Sequence, residues 1–126
     1  MPTKESIENF IKAVEECPHD QVIESFYATD ASIQENHNEP RTGLENLMKN
    51  ERKMLRKAKK VTSECIRPFF HSDDIVVIRW KFHFEWLDGS TTKIEEVAYQ
   101  KWKGEKIHRE QFFYDPKQFI PKKGNA

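Results

Sequence analysis

The sequence predicts an α+β fold, with three N-terminal helices followed by a meander of long antiparallel strands. Two observations carry this. Apolar residues recur at helical spacing through the first half, and from Val61 onward they recur at every second position. In the second half Val76, Ile78, Trp80, Phe82, Phe84 and Trp86 form a six-residue apolar ladder along one strand face. Such a face has to be buried against helices or line a cavity. A chain of 126 residues is one domain with room for a real but modest core.

The elements follow in order. Residues 6–16 carry Ile7, Phe10, Ile11 and Val14, a helical stripe. Pro18 and His19 interrupt it, and Asp20 is expected to cap a second helix over 21–27, with Val22, Ile23 and Phe26 inward. A helix end at Tyr27-Ala28, a turn at Thr29-Asp30 and a short strand over 31–35 come next. After a polar loop, Pro40-Arg41-Thr42-Gly43 launches the third helix, 44 to about 58, in which Thr42 and Glu45 fit a capping box. Leu44, Leu47, Met48, Leu55 and Ala58 share its apolar face. Strands are expected at 61–70, 75–86, 93–102 and 106–115, with hairpin turns at Asp88-Gly89 and Gly104. The domain spans 1–120, and 121–126 reads as a loose tail.

Composition narrows the function classes. Lysine plus arginine and aspartate plus glutamate both number 21, so no global field draws the protein to nucleic acid or membrane. No apolar run approaches the length of a spanning helix, and the charged start MPTKESIENF does not read as a signal peptide. Cys17 and Cys65 lack a disulfide pattern, and reduced thiols in a cytoplasmic protein are expected. Nine Phe, three Trp and three Tyr are many for so charged a chain, and most follow residue 68.

Strand parity separates the faces. In the strand over 75–86 the odd set holds Arg79, Lys81, His83 and Glu85, opposite the apolar ladder. In the last strand His108, Glu110, Phe112 and Tyr114 share a face. For 93–102 parity alone does not say which face is inward.

The segment over 27–43, YATDASIQENHNEPRTG, carries a resemblance. Its order of tyrosine-alanine, acidic turn, short strand, loop and proline-arginine-hydroxyl-glycine resembles the ketosteroid isomerase and SnoaL-like cyclase branch of the nuclear transport factor 2-like superfamily. With one loop residue fewer, Glu35 falls at the place of the isomerase's catalytic aspartate. The resemblance extends to the aromatic-rich strands and implies a cone, a strongly curved mixed or antiparallel sheet wrapped around the three helices. It places Trp80, Phe82, Phe84, Ile94, Glu96, Ala98, Gln100, Glu110, Phe112 and Tyr114 on the pocket side. Carboxylates in such a cone lose hydration, which disfavours the ionised form and suits a general acid or base. The resemblance therefore implies Glu35 as principal acid/base, with Glu110 and Tyr114 beside it. Trp80, Phe82, Phe84, Glu96, Gln100, Phe112 and His37 would then bind substrate. Glu96 equally fits an ion pair with Arg67 or Arg109, whereas the default expectation for His37 is a solvated loop position.

Departures matter as much. The isomerase's oxyanion tyrosine and protonated aspartic acid fall here at Phe10 or Ile11 and at Ala98, none of which can donate. Steroid isomerisation is not expected. Asp115 matches the acid that SnoaL-like cyclases keep near the end of the last strand, but by parity it points opposite to Tyr114, and a turn or cap role before Pro116 is the expectation. The five histidines have no metal-ligand spacing, and no phosphate loop, dinucleotide fingerprint or nucleophile elbow is present, so neither metal nor cofactor is expected. The basic run Arg52 to Lys60 closes an amphipathic helix, where cations complement the dipole. Three functions remain: a cofactor-independent isomerase, cyclase or hydratase; a binder of a hydrophobic small molecule; or a dimerising platform. The mixed outer face of the long strands suits a homodimer.

Overall fold

The computed structural model describes residues 1–123. Helices α1 (Lys4–Glu16) and α2 (His19–Phe26) precede strands β1 (Tyr27–Glu35) and β2 (Arg41–Thr42). Helix α3 (Leu44–Leu55) leads into the meander β3 (Ala58–Ser72), β4 (Ile75–Trp86), β5 (Thr91–Lys103) and β6 (Lys106–Phe113), and a 3-10 turn (Pro116–Phe119) follows. The α+β plan stands. The sheet is curved, unclosed and mixed, in the order β2-β1-β6-β5-β4-β3, with β1 and β6 parallel and the other pairs antiparallel. Register shifts in β3 at Ala58/Lys60 and Ile66/Phe70 bend the long hairpin.

Each helix buries one stripe. Thr3 caps α1 by accepting from the Ser6 amide at 3.0 Å, and Ile7, Phe10, Ile11 and Val14 turn inward. Phe10 meets Phe26, Tyr27, Trp80 and Trp102 edge-on, with centroids 5.5–6.4 Å apart, the arrangement that aromatic quadrupoles favour. On β4 the ladder is inward as expected, with Val76, Ile78, Trp80 and Phe84 buried and Phe82 and Trp86 half-buried. On β5 the even set is inward: Thr92, Ile94, Ala98, Gln100 and Trp102 are buried.

Four local expectations are corrected. Asp20 does not cap α2, which starts at His19, two residues earlier than expected, behind Pro18; its carboxylate instead accepts from Arg52 Nε at 3.3 Å. Tyr27 to Asp30 are not a helix end and turn but the first half of β1, and an irregularity before Ser32 absorbs them. Thr42 is not a capping-box residue, because it pairs with Ser32 in β2 and leaves Gly43, at φ 96°, to open α3. Helix α3 stops at Leu55, since Ala58 is taken by pairing with Trp86. At the other end, Lys122 of the expected loose tail forms a bridge to Thr91 through two backbone hydrogen bonds of 2.8 and 2.9 Å. Positions 124–126 of that tail lie outside the described residues. Among the described residues no helix is long and apolar enough to cross a membrane.

Candidate functional site

The hollow of the sheet and the inner faces of the three helices border an open-mouthed cavity of about 80 Å³. Phe10, Tyr27, Trp80, Phe82 and Phe112 wall it, and Glu110, Glu51 and His19 also reach its lining. Glu110 sits on β6 opposite Gln100 of β5 and Ile33 of β1, which puts its carboxyl on the concave side with 3% of the residue exposed. A chain of hydrogen bonds fixes it. Trp102 Nε1 donates to Gln100 Oε1 at 2.9 Å, so the amide must turn its Nε2 to Glu110 Oε2, at 2.6 Å. The Tyr27 hydroxyl donates to the other oxygen, Oε1.

Burial is the largest influence on this carboxyl and pushes its pKa from 4.5 up to about 7, while the hydrogen bonds from Tyr27 and Gln100 pull the other way. Burial and then the Glu110 charge hold the Tyr27 phenol well above its ordinary value. Glu96, half-buried on β5, is raised further, to about 8, by burial and then by Glu110 and Glu35. No hydrogen bond reaches its carboxylate among the described residues, and neither Arg67 nor Arg109 pairs with it; Arg67 binds Glu8 instead, at 2.8 Å.

The expected site residues divide into groups. Trp80, Phe82, Phe112 and Glu110 line the cavity. Gln100 stands one bond behind Glu110, and Phe84 stacks on Trp86 with centroids 5.1 Å apart, away from the cavity. Glu35 is not in the cavity wall. It pairs with Arg41 Nη1 at 2.9 Å and accepts from the Tyr114 hydroxyl at 3.1 Å, and its side chain is 31% exposed. Burial, then Glu35, raises the Tyr114 pKa. His37 is not at the pocket: it is exposed and packs edge-on against Phe113, an outward residue. Asp115 caps the 3-10 turn by accepting from the Lys117 amide at 3.0 Å.

Among the described residues no group of three or more His, Cys, Asp or Glu is placed to hold a metal ion. Four contributors escaped sequence reasoning. Tyr27 shares odd parity with Ala31 and Ile33, the signal that finds it once the segment is read as strand. Glu51 lies one helical turn from both Leu47 and Leu55, on the inward side of α3. His19 and Arg41 carry no signal in spacing.

No protein-family model matches the sequence, and no curated protein matches it. Solved structures do. A protein from Catenulispora acidiphila with a ketosteroid isomerase-like fold, in complex with trimethylamine, superposes with a TM-score of 0.76 at 15% identity, over 94% of this chain and 91% of that one. The chain has the ketosteroid isomerase-like, nuclear transport factor 2-like fold. A candidate SnoaL-like polyketide cyclase from Mesorhizobium loti gives 0.74 at 21% identity, over 90% of this chain and all of that one. A nuclear transport factor 2-like protein of unknown function from Cytophaga hutchinsonii gives 0.71 at 10% identity, over 89% and 98%. Identities this low speak to fold alone.

Proposed function

We propose that the protein is a small-molecule pocket protein whose cavity takes a compact ligand, apolar in body and carrying one polar or basic group against Glu110. The observation that carries this is the placement of a buried carboxyl on the wall of an otherwise aromatic cavity. Aromatic faces attract an organic cation, and a carboxylate desolvated beside them strengthens the attraction. Size sets the class. About 80 Å³ is well below the roughly 300–1,000 Å³ of drug-sized sites, so a steroid would require Phe82 and Phe112 to repack. The complex of the Catenulispora acidiphila protein with trimethylamine, a ligand of this kind, agrees with the reading.

Tetramethylammonium, which does not titrate, is the probe. Nuclear magnetic resonance titration should show it shifting signals of Phe10, Trp80 and Phe112, with Glu110→Gln weakening binding about 10-fold or more, the scale of one charged contact. Equal affinity for wild type and Glu110→Gln, or shifts confined to the outer surface, would refute the assignment.

A second reading, acid–base catalysis without a cofactor, is favoured by the near-neutral titration of Glu110. Such a group can take a proton from carbon and return it in an isomerisation, cyclisation or hydration. Glu35, tied to Arg41 and Tyr114 outside the cavity wall, does not transfer the proton itself in this reading. The outer sheet face completes the proposal as a homodimer contact. Val97, Tyr99 and Phe113 are 38%, 46% and 39% exposed there, beside Arg79 and Glu95, which pair at 2.9 Å and offer both signs of charge to a second copy.

A further inference from the structure

His19 faces two ways. One side lines the inner cavity; the other opens on an outer groove of about 340 Å³ between the end of α1 and the start of β3, which Ser63 also lines. Ser63 is not part of the inner cavity. Its Oγ lies 2.9 Å from His19 Nε2, and Glu51 Oε1 lies 3.3 Å from His19 Nδ1. Three elements, α2, α3 and β3, thus bring carboxylate, imidazole and hydroxyl together.

The order of groups fixes the protons. An ionised carboxylate only accepts, so Glu51 draws the imidazole proton to Nδ1 and leaves Nε2 as the acceptor facing Ser63. The serine hydroxyl then aims its own proton at a base. Phe82 packs edge-on against the ring, 5.6 Å between centroids and 71° between planes, and restrains its rotation. The His19 and Glu51 side chains are 16% and 19% exposed; His19 borders the groove, and Glu51 stands behind it on the inner cavity. Lys59 and Lys60 also line this groove, while Glu15, another lining residue, is occupied by the Cys65 amide at 2.9 Å.

We infer that Ser63, His19 and Glu51 form a nucleophilic relay acting on small carboxylic esters that enter from the outer groove. Ser63 Oγ attacks the ester carbonyl carbon and its proton passes to His19 Nε2. The carbon–oxygen bond to the leaving group breaks, and the departing alcohol takes that proton from Nε2. Water then attacks the acyl-serine, giving its proton to His19, and the carboxylic acid leaves as Ser63 regains its hydrogen. Ser63 and His19 are the catalytic residues, and Glu51 is a positioning residue.

The test uses the full chain, a fluorophosphonate probe and p-nitrophenyl acetate. Mass spectrometry should find the phosphonyl group on Ser63, and Ser63→Ala should abolish labelling. His19→Gln should slow both labelling and ester turnover by about 100-fold or more. Glu51→Gln should lower kcat about 10-fold with KM unchanged, a split that mere loosening of the fold would not produce. Wild-type protein that fails to label, label on any other residue, or labelling at undiminished rate in His19→Gln would each overturn the inference. Because the first of these needs no variant, misfolding of a substituted chain does not shield the proposal.

Discussion

Glu110 is governed by two donors that oppose its burial. The Tyr27 and Gln100 hydrogen bonds favour the ionised form, and loss of water favours the neutral one. Tyr27→Phe removes one donor, so the carboxyl should titrate above its present value of about 7, read from the pH dependence of its carboxyl-carbon resonance. The same change should cost about 1–3 kcal/mol of stability by leaving a buried oxygen short of a partner. A titration midpoint that falls would contradict this view of the network. At this scale the sequence was partly legible. Parity puts Glu110 and Phe112 on one face, and both line the cavity. The partnership of Glu35 with Arg41 was not visible, because it depends on β2 folding back beside β1 and not on any spacing. Tyr27 was hidden by its place at the junction of α2 and β1.

The elements owe their legibility to period. The β4 ladder, read from alternation alone, matches the observed strand end to end, whereas boundaries fixed by tertiary pairing were misread. Helix α3 illustrates why. Its apolar spacing continues to Ala58, yet pairing of Ala58 with Trp86 takes that residue into the sheet. The start of α3 likewise depends on Gly43 at φ 96°, whose amide bonds the Ala31 carbonyl at 2.9 Å. A Cβ there meets only Asn46 Nδ2 at 3.8 Å, so the strain of Gly43→Ala lies in the backbone. It should destabilise the fold by about 1 kcal/mol, measured by urea denaturation. Phe10→Ala, which strips α1 of its contact with four aromatic rings, should cost about 3–5 kcal/mol in the same assay. A Phe10→Ala loss no larger than that of Gly43→Ala would place the main core elsewhere.

Across the whole molecule, one buried and one half-buried carboxyl make stability depend on pH. Glu110 and Glu96 have folded pKa values raised to about 7 and about 8 from 4.5, so the folded state holds their protons more tightly than the unfolded chain. That advantage is complete below pH 4.5 and is lost as pH rises through 7 to 8. The loss from Glu110 is on the order of 3 kcal/mol. Thermal unfolding from pH 5 to 8 should show the decline, and Glu110→Gln should make it shallower while leaving the share that belongs to Glu96. A stability that rises over this range would contradict the burial argument. The outer face makes a separate prediction: the chain should sediment as a dimer at micromolar concentration, and Tyr99→Glu should return it to a monomer. A wild-type monomer at that concentration would remove the dimer from the account.

The central claim, that the cavity beside Glu110 is the ligand site, is tested most directly by titrating the Glu110 carboxyl carbon by nuclear magnetic resonance with and without tetramethylammonium. A cation held beside the carboxylate stabilises its ionised form, so affinity and acidity are reciprocally linked. The account predicts a midpoint near 7 in the free protein that moves down when the cation is present. A midpoint in the ordinary carboxyl range, or one that the cation leaves in place, would contradict it.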